Sequence, residues 1–181
     1  MSRNVEIKAV LRDRDSIIAA AARRSDTVPE MISQHDFFFR CGAGRLKLRV
    51  FEPDCGELIQ YEREDLAGPR SSQYQIAYTS TPGILLDILT RTLGRIGEVK
   101  KTRILFLIGQ TRVHIDTVDG LGDFLELEVV LRPEQTEGDG RQIAEELLRE
   151  FGIKNDQLIA KAYVDLLASL PNYSATNIPA H

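Results

Sequence analysis

The chain has no tryptophan, two cysteines, two methionines and three histidines, and aromatics make up 7% of its 181 residues. Cys41 and Cys55 have no C-x-x-C spacing and no neighbouring histidine pair, which argues against a zinc site or a disulfide framework. No apolar run approaches the roughly 20 residues needed to span a bilayer. The start, Met1-Ser2-Arg3-Asn4-Val5-Glu6, lacks the apolar stretch of a signal peptide, so the expected compartment is the cytoplasm. A surplus of basic charge is missing too. Lys plus Arg number 23 against 27 for Asp plus Glu, a net charge of −4, which argues against a dedicated nucleic-acid binder. With 43% hydrophobic and 28% charged residues, the chain is expected to form one domain with a core of its own.

What the chain does have is a set of charged residues spaced two apart. They are Asn4-Val5-Glu6-Ile7-Lys8, Arg45-Leu46-Lys47-Leu48-Arg49, Lys101-Thr102-Arg103, His114-Ile115-Asp116 and Glu126-Leu127-Glu128. Side chains two apart share one face of a strand, so each group lines up its ionisable residues on one side. A single such strand is an ordinary half-wet strand. Several together raise an electrostatic problem. Arg45, Lys47 and Arg49 repel one another unless an anion or opposing carboxylates face them. Glu126 and Glu128 repel with the opposite sign, and a divalent cation relieves that strain.

The spacing predicts strands over residues 5–10, 32–40, 45–52, 58–64, 74–79, 98–107, 111–118 and 124–131. Four helices are expected among them: from an Asp13–Ser16 cap to about Arg24, from Pro82 to a stop at Gly94, over 139–151, and over 157–170. Residues 67–72 read as a loop, although Arg70, Ser72 and Tyr74 also keep period-two spacing; Pro53-Asp54-Cys55-Gly56 and Gly120-Leu121-Gly122-Asp123 read as turns. No helix follows Gly120-x-Gly122, so this is not a phosphate-cradling loop. His35, beside Phe37 to Phe39, reads as a packing or rim residue. One of Tyr61 and Glu62 faces the same side as the charged rows.

Closing about eight such strands into a barrel would turn the charged faces inward and pack Leu46, Leu48 and Val50 outward on the helices. The bore would then hold one small ligand between cationic and acidic walls. Arginine and lysine grip phosphate oxygens, and carboxylates hold magnesium alongside water and phosphate. A solvated basic surface for nucleic acid or a partner protein is the alternative, disfavoured by the net charge. An apolar helix face would suit a homodimer as well as packing within the chain.

The first charged strand, Asn4-x-Glu6-x-Lys8, resembles the E-x-E-x-K signature of the CYTH domain, named for class IV adenylyl cyclases and thiamine triphosphatases within the triphosphate tunnel metalloenzymes. Gly109-Gln110 through His114-Ile115-Asp116, then Gly120-Leu121-Gly122-Asp123-Phe124-Leu125-Glu126, resembles the class IV cyclase branch. The resemblance spans nearly the whole chain. It implies one domain over 4–170, with 171–181 a flexible tail. The implied fold is α+β: a closed antiparallel β-barrel of about eight strands, a triphosphate tunnel, with helices packed outside.

The implied cofactor is Mg²⁺ or Mn²⁺. Asn4, Glu6, Asp116, Glu126 and Glu128 would form the metal wall. Lys8, Arg45, Lys47, Arg49, Arg63, Arg70, Lys101, Arg103 and His114 would bind the substrate, with Lys8 and Arg63 at the catalytic positions. Two positions depart from the family pattern. Asn4 stands where the signature has glutamate, removing one negative charge. Arg63 stands where lysine is usual, keeping the charge but accepting protons poorly. The expected activity is metal-dependent processing of a nucleoside, thiamine or inorganic triphosphate, by cyclisation with loss of pyrophosphate or by hydrolysis. A non-catalytic triphosphate, polyphosphate or nucleotide sensor is the alternative.

Overall fold

Alternation of polar and apolar residues dictates two-faced strands, and the computed structural model joins eight of them into one ring. It describes residues 2–51, 54–63 and 68–171, with the backbone alone at Ser2 and Arg63. The strands are β1 (Ser2–Val10), β2 (Glu30–Phe39), β3 (Arg45–Phe51), β4 (Cys55–Arg63), β5 (Arg70–Thr79), β6 (Arg95–Ile108), β7 (Thr111–Val118) and β8 (Gly122–Val130). All neighbours are antiparallel in the order β1-β5-β4-β3-β2-β6-β7-β8. Pairing of β1 with β8 closes the barrel, with Glu6 opposite Glu128 and Lys8 opposite Glu126.

The helices are α1 (Arg14–Arg24), α2 (Pro82–Leu93), α3 (Glu137–Glu150) and α4 (Tyr163–Ala168). The Asp13 side chain caps α1 by accepting from the Ser16 amide at 3.1 Å. Thr136 and Asp139 cap α3 reciprocally, which starts it two residues earlier than expected. Gly94 ends α2.

The outward face of the barrel is the core. Val5, Ile7, Val113, Ile115, Leu125, Leu127 and Val129 are buried against Ile17 and Ala21 of α1 and Ala144, Leu147 and Leu148 of α3. Gly140 allows this approach, since a Cβ there would stand 2.7 Å from side-chain carbons of both Val5 and Leu131. Leu48, Phe37 and Phe39 pack with Leu85, Leu86 and Leu89 of α2. A third cluster joins Phe38, Val99, Val118 and Phe124 to Ala162, Tyr163, Val164 and Leu167, so α4 sits over one end of the barrel.

Two expectations are corrected. The stretch 70–72 is strand, not loop, because β5 pairs with β1 from Arg70 opposite Glu6. The expected helix over 157–170 is a 3₁₀ turn at Asn155–Gln157 followed, after an extended stretch, by the short α4. The Ile159 amide donates to the Lys8 carbonyl at 3.0 Å, and the Gln157 amide group donates to the Val10 carbonyl at 2.9 Å. The segment thus takes its backbone partners from β1 instead of from its own next turn. The Pro53 position, the loop before Gly68 and the expected tail beyond residue 171 lie outside the described residues. Among the described residues, no helix is long and apolar enough to cross a membrane.

Candidate active site in the barrel tunnel

On β1, β3, β7 and β8 the outward positions are mostly apolar, and the intervening polar residues face the bore. They line a cavity of about 380 Å³. Asn4, Glu6 and Lys8 come from β1, Lys47 and Arg49 from β3, Lys101 and Arg103 from β6, His114 from β7, and Glu126 and Glu128 from β8. Tyr61, not Glu62, faces the bore.

One half of the tunnel is built from cation pairs anchored on carboxylates. Asp36, opposite Arg49 on β2, accepts from Arg49 Nε at 2.7 Å, Arg49 Nη2 at 2.9 Å and Lys47 Nζ at 2.8 Å. Asp116, opposite Arg103, accepts from Arg103 Nε at 2.6 Å, Arg103 Nη2 at 2.7 Å and Lys101 Nζ at 3.1 Å. Two-pronged arginine–carboxylate contacts fix the guanidinium planes. Two arginines and two lysines share two carboxylates, so the donors of this half are held in place.

The electrostatics follow from that geometry. Burial alone would raise the Asp36 carboxyl, but Arg49 and Lys47 outweigh it and hold it well below the usual range. Burial and the Arg49 charge lower Lys47 to about 7, against the pull of Asp36. Lys101 is also lowered, by burial and by Arg103. A bound polyanion would favour the charged form of both lysines.

The other half is acidic. Glu126 Oε2 accepts from Arg103 Nη2 at 2.8 Å, and its Oε1 lies 3.6 Å from Lys8 Nζ. Burial would raise this carboxyl, and the Lys8 charge, the neighbouring His114 and the Arg103 charge hold it well below its usual range. His114 Nδ1 lies 4.0 Å from both Glu126 Oε2 and Glu128 Oε1. The ligand atoms of these three residues fall within 4.8 Å of one another, as a metal corner requires. Burial and Arg103 lower His114, leaving it the neutral imidazole that can donate a lone pair. Among the described residues, Asn4 Oδ1, Gln34 Oε1 and His114 Nδ1 are buried atoms of the tunnel wall with no hydrogen-bond partner. Such atoms call for a guest.

Three expected site residues are placed otherwise. Arg45 makes a two-pronged contact with Asp165 of α4, at 3.1 and 2.7 Å, and is not part of the cavity lining. Arg70 is 1% exposed; its Nε donates to Glu6 Oε1 and its Nη1 to the Ala160 carbonyl, both at 2.9 Å. It positions Glu6 and the segment leading to α4 instead of facing the cavity. Asp116, expected on the metal wall, is fully buried behind its two cations. The backbone of Arg63 pairs with Ser72, and its side chain lies outside the described residues.

Two residues went unnoticed in the sequence. Asp36 sits between Gln34 and Phe38 on an inward face, and only the register with β3 shows that it serves Lys47 and Arg49. Tyr163 donates its hydroxyl to Asp116 at 3.1 Å, and its ring lies 3.8 Å beneath Lys8 Nζ. Burial and the Asp116 charge push its phenol well above its usual value, so it remains a donor.

A closed eight-stranded barrel with an inward-facing phosphate-type cation wall defines a tunnel protein, and comparison with known families agrees. The CYTH domain model matches residues 2–163, and the chain belongs to this family. It is similar to adenylate cyclase CyaB of Aeromonas hydrophila, with 25% identity over 97% of this chain and 94% of that protein. Among solved structures, the PH1012 protein of Pyrococcus horikoshii OT3 superposes with a TM-score of 0.80 at 19% identity, covering 90% of this chain and 98% of that one. HpAC1 from Hippeastrum, reported with a dominant triphosphatase activity, gives 0.66 at 14% identity, over 94% of this chain and 98% of that one. At these identities the solved structures bear on the fold alone.

Proposed function

We propose that the tunnel binds a triphosphate together with Mg²⁺ or Mn²⁺ and breaks one of its P–O bonds. The observation that carries this reading is the pair of anchored cation pairs, Lys47–Arg49 on Asp36 and Lys101–Arg103 on Asp116. They face an acidic corner across one cavity. Donors fixed before the ligand arrives need no reorganisation as charge develops on phosphoryl oxygens. Lysine and arginine of both pairs would take the phosphate oxygens, and Lys8, on the Tyr163 ring, would sit where the two halves meet. His114, Glu126 and Glu128 fit a divalent ion, which when bound would neutralise phosphate charge.

Two chemistries suit this site. Attack by water releases orthophosphate; attack by a ribose 3′-hydroxyl on the α-phosphorus releases pyrophosphate and leaves a cyclic nucleotide. The related CyaB supports the cyclase label, and HpAC1 shows that the fold also accompanies a triphosphatase activity. Binding without catalysis is the second reading. It is favoured by Asn4, which leaves the metal wall one negative charge short.

The test is product analysis. Purified protein is incubated with ATP, thiamine triphosphate and inorganic triphosphate in Mg²⁺ or Mn²⁺. Cyclic AMP with pyrophosphate identifies a cyclase, and orthophosphate identifies a triphosphatase. Saturable binding with neither product would sink both enzyme readings and leave the sensor.

A further inference from the structure

Within that metal-and-triphosphate reading, we propose that His114 coordinates the tunnel ion through Nδ1, making a mixed imidazole–carboxylate site that selects Mn²⁺ over Mg²⁺. His114 is 3% exposed, and Nδ1 is a buried atom with no hydrogen-bond partner among the described residues. Both neighbouring carboxylate oxygens, Glu126 Oε2 and Glu128 Oε1, lie 4.0 Å from it. That distance is too long for a hydrogen bond. With bond lengths of about 2.1 Å, ligand atoms of one ion are separated by roughly 3.0 Å when adjacent and 4.2 Å when opposite, so one carboxylate oxygen already stands at the opposite distance from Nδ1 and the other would close by about 1 Å to stand beside it.

The competition at each ligand strengthens the case for the imidazole. Glu126 is shared with Arg103 at 2.8 Å and Lys8 at 3.6 Å, and Glu128 Oε2 faces Arg112 at 3.6 Å. Both carboxylates are therefore partly neutralised before an ion arrives. Among the described residues no hydrogen bond occupies His114 Nδ1, so it is the ligand atom of the three left uncommitted. Mg²⁺ prefers oxygen ligands and gives up water reluctantly. Mn²⁺ shares that preference for carboxylate and water, but as the transition ion of the two it takes one nitrogen ligand at less cost than Mg²⁺.

Pulsed electron paramagnetic resonance on the full chain, loaded with Mn²⁺ and sodium tripolyphosphate, reads the bond directly. Wild type should show coupling to a ¹⁴N nucleus. The chain has three histidines, so His114→Ala should lose the coupling and His35→Ala should retain it. In parallel binding titrations His114→Ala and His114→Gln should weaken Mn²⁺ by about tenfold or more and narrow its advantage over Mg²⁺. Mn²⁺ bound to wild type without ¹⁴N coupling would overturn the inference while leaving a metal–triphosphate tunnel intact. No Mn²⁺ bound at all, even with tripolyphosphate present, would overturn both.

Discussion

Replacing Asp116 with asparagine removes one charge from a wholly buried ion cluster while nearly preserving its shape. Asp116 has no exposed surface, and its partners Lys101 and Arg103, on the tunnel wall, are only 6% and 5% exposed. Breaking a buried ion pair by removing one partner costs about 3–5 kcal/mol. The amide oxygen still accepts from one side, which places Asp116→Asn near the lower end, at about 3 kcal/mol. In a domain of this size 1 kcal/mol moves Tm by roughly 2–4 °C, so the expected drop is about 6–12 °C. Inorganic triphosphate would supply the missing negative charge to the same two cations, so it should raise Tm more in the variant than in wild type.

The pH dependence has a definite sign. Burial would raise Asp116, but Arg103 and Lys101 hold it below its ordinary value. Its contribution is therefore complete above about pH 4 and lost as pH falls through the lowered value. The variant should lack that part of the acid slope. Melting curves with and without tripolyphosphate, at neutral and acid pH, give the answer. A variant melting within about 2 °C of wild type would refute the counterion role. Equal tripolyphosphate shifts in the two proteins would refute a ligand seated on Lys101 and Arg103.

Three further outcomes are expected. Since Lys47 is lowered to about 7, it is roughly nine-tenths neutral at pH 8. Binding of triphosphate at pH 8 should then take up nearly one proton, seen as heats that differ between Tris and HEPES buffers; buffer-independent heats would contradict this. Glu126→Gln removes a carboxylate from the metal corner and should abolish metal-dependent turnover, whereas unchanged activity would contradict its placement there. Tyr163→Leu removes the ring beneath Lys8 as well as the hydroxyl, while Tyr163→Phe removes the hydroxyl alone. Leucine should weaken triphosphate binding by about fivefold and phenylalanine by less, given a cation–ring contact of about 1 kcal/mol; equal affinities in all three proteins would remove Tyr163 from the site.

Much of this arrangement was legible because strand alternation is local. The period-two rows at Asn4–Lys8, Lys47–Arg49, Lys101–Arg103 and Glu126–Glu128 assign inward and outward faces without knowledge of any neighbour. Leu48, outward on the same logic, is fully buried beneath α2. What stayed hidden depends on pairing between distant segments. Asp36 gains its role only from its register with Arg49, and for Arg70 only the pairing with Glu6 on β1 decides between loop composition and the period-two spacing it shares with Ser72 and Tyr74. His114 and Asp116 share one strand face, yet Asp116 falls opposite Arg103 while His114 falls opposite Glu126. No single-strand pattern separates a counterion from a metal ligand. The helical spacing after residue 157 also misleads, because the segment bonds to the β1 backbone instead of coiling.

The central claim is that carboxylate-anchored cations make this tunnel a triphosphate site. Calorimetric titration of wild type and of the Lys47→Ala/Arg49→Ala double variant with inorganic triphosphate tests it most directly. The expected result is saturable binding at one site per chain, weakened by added salt, and reduced at least about thirtyfold in the double variant. Absence of saturable binding in wild type, or unchanged affinity in the variant, would contradict the account.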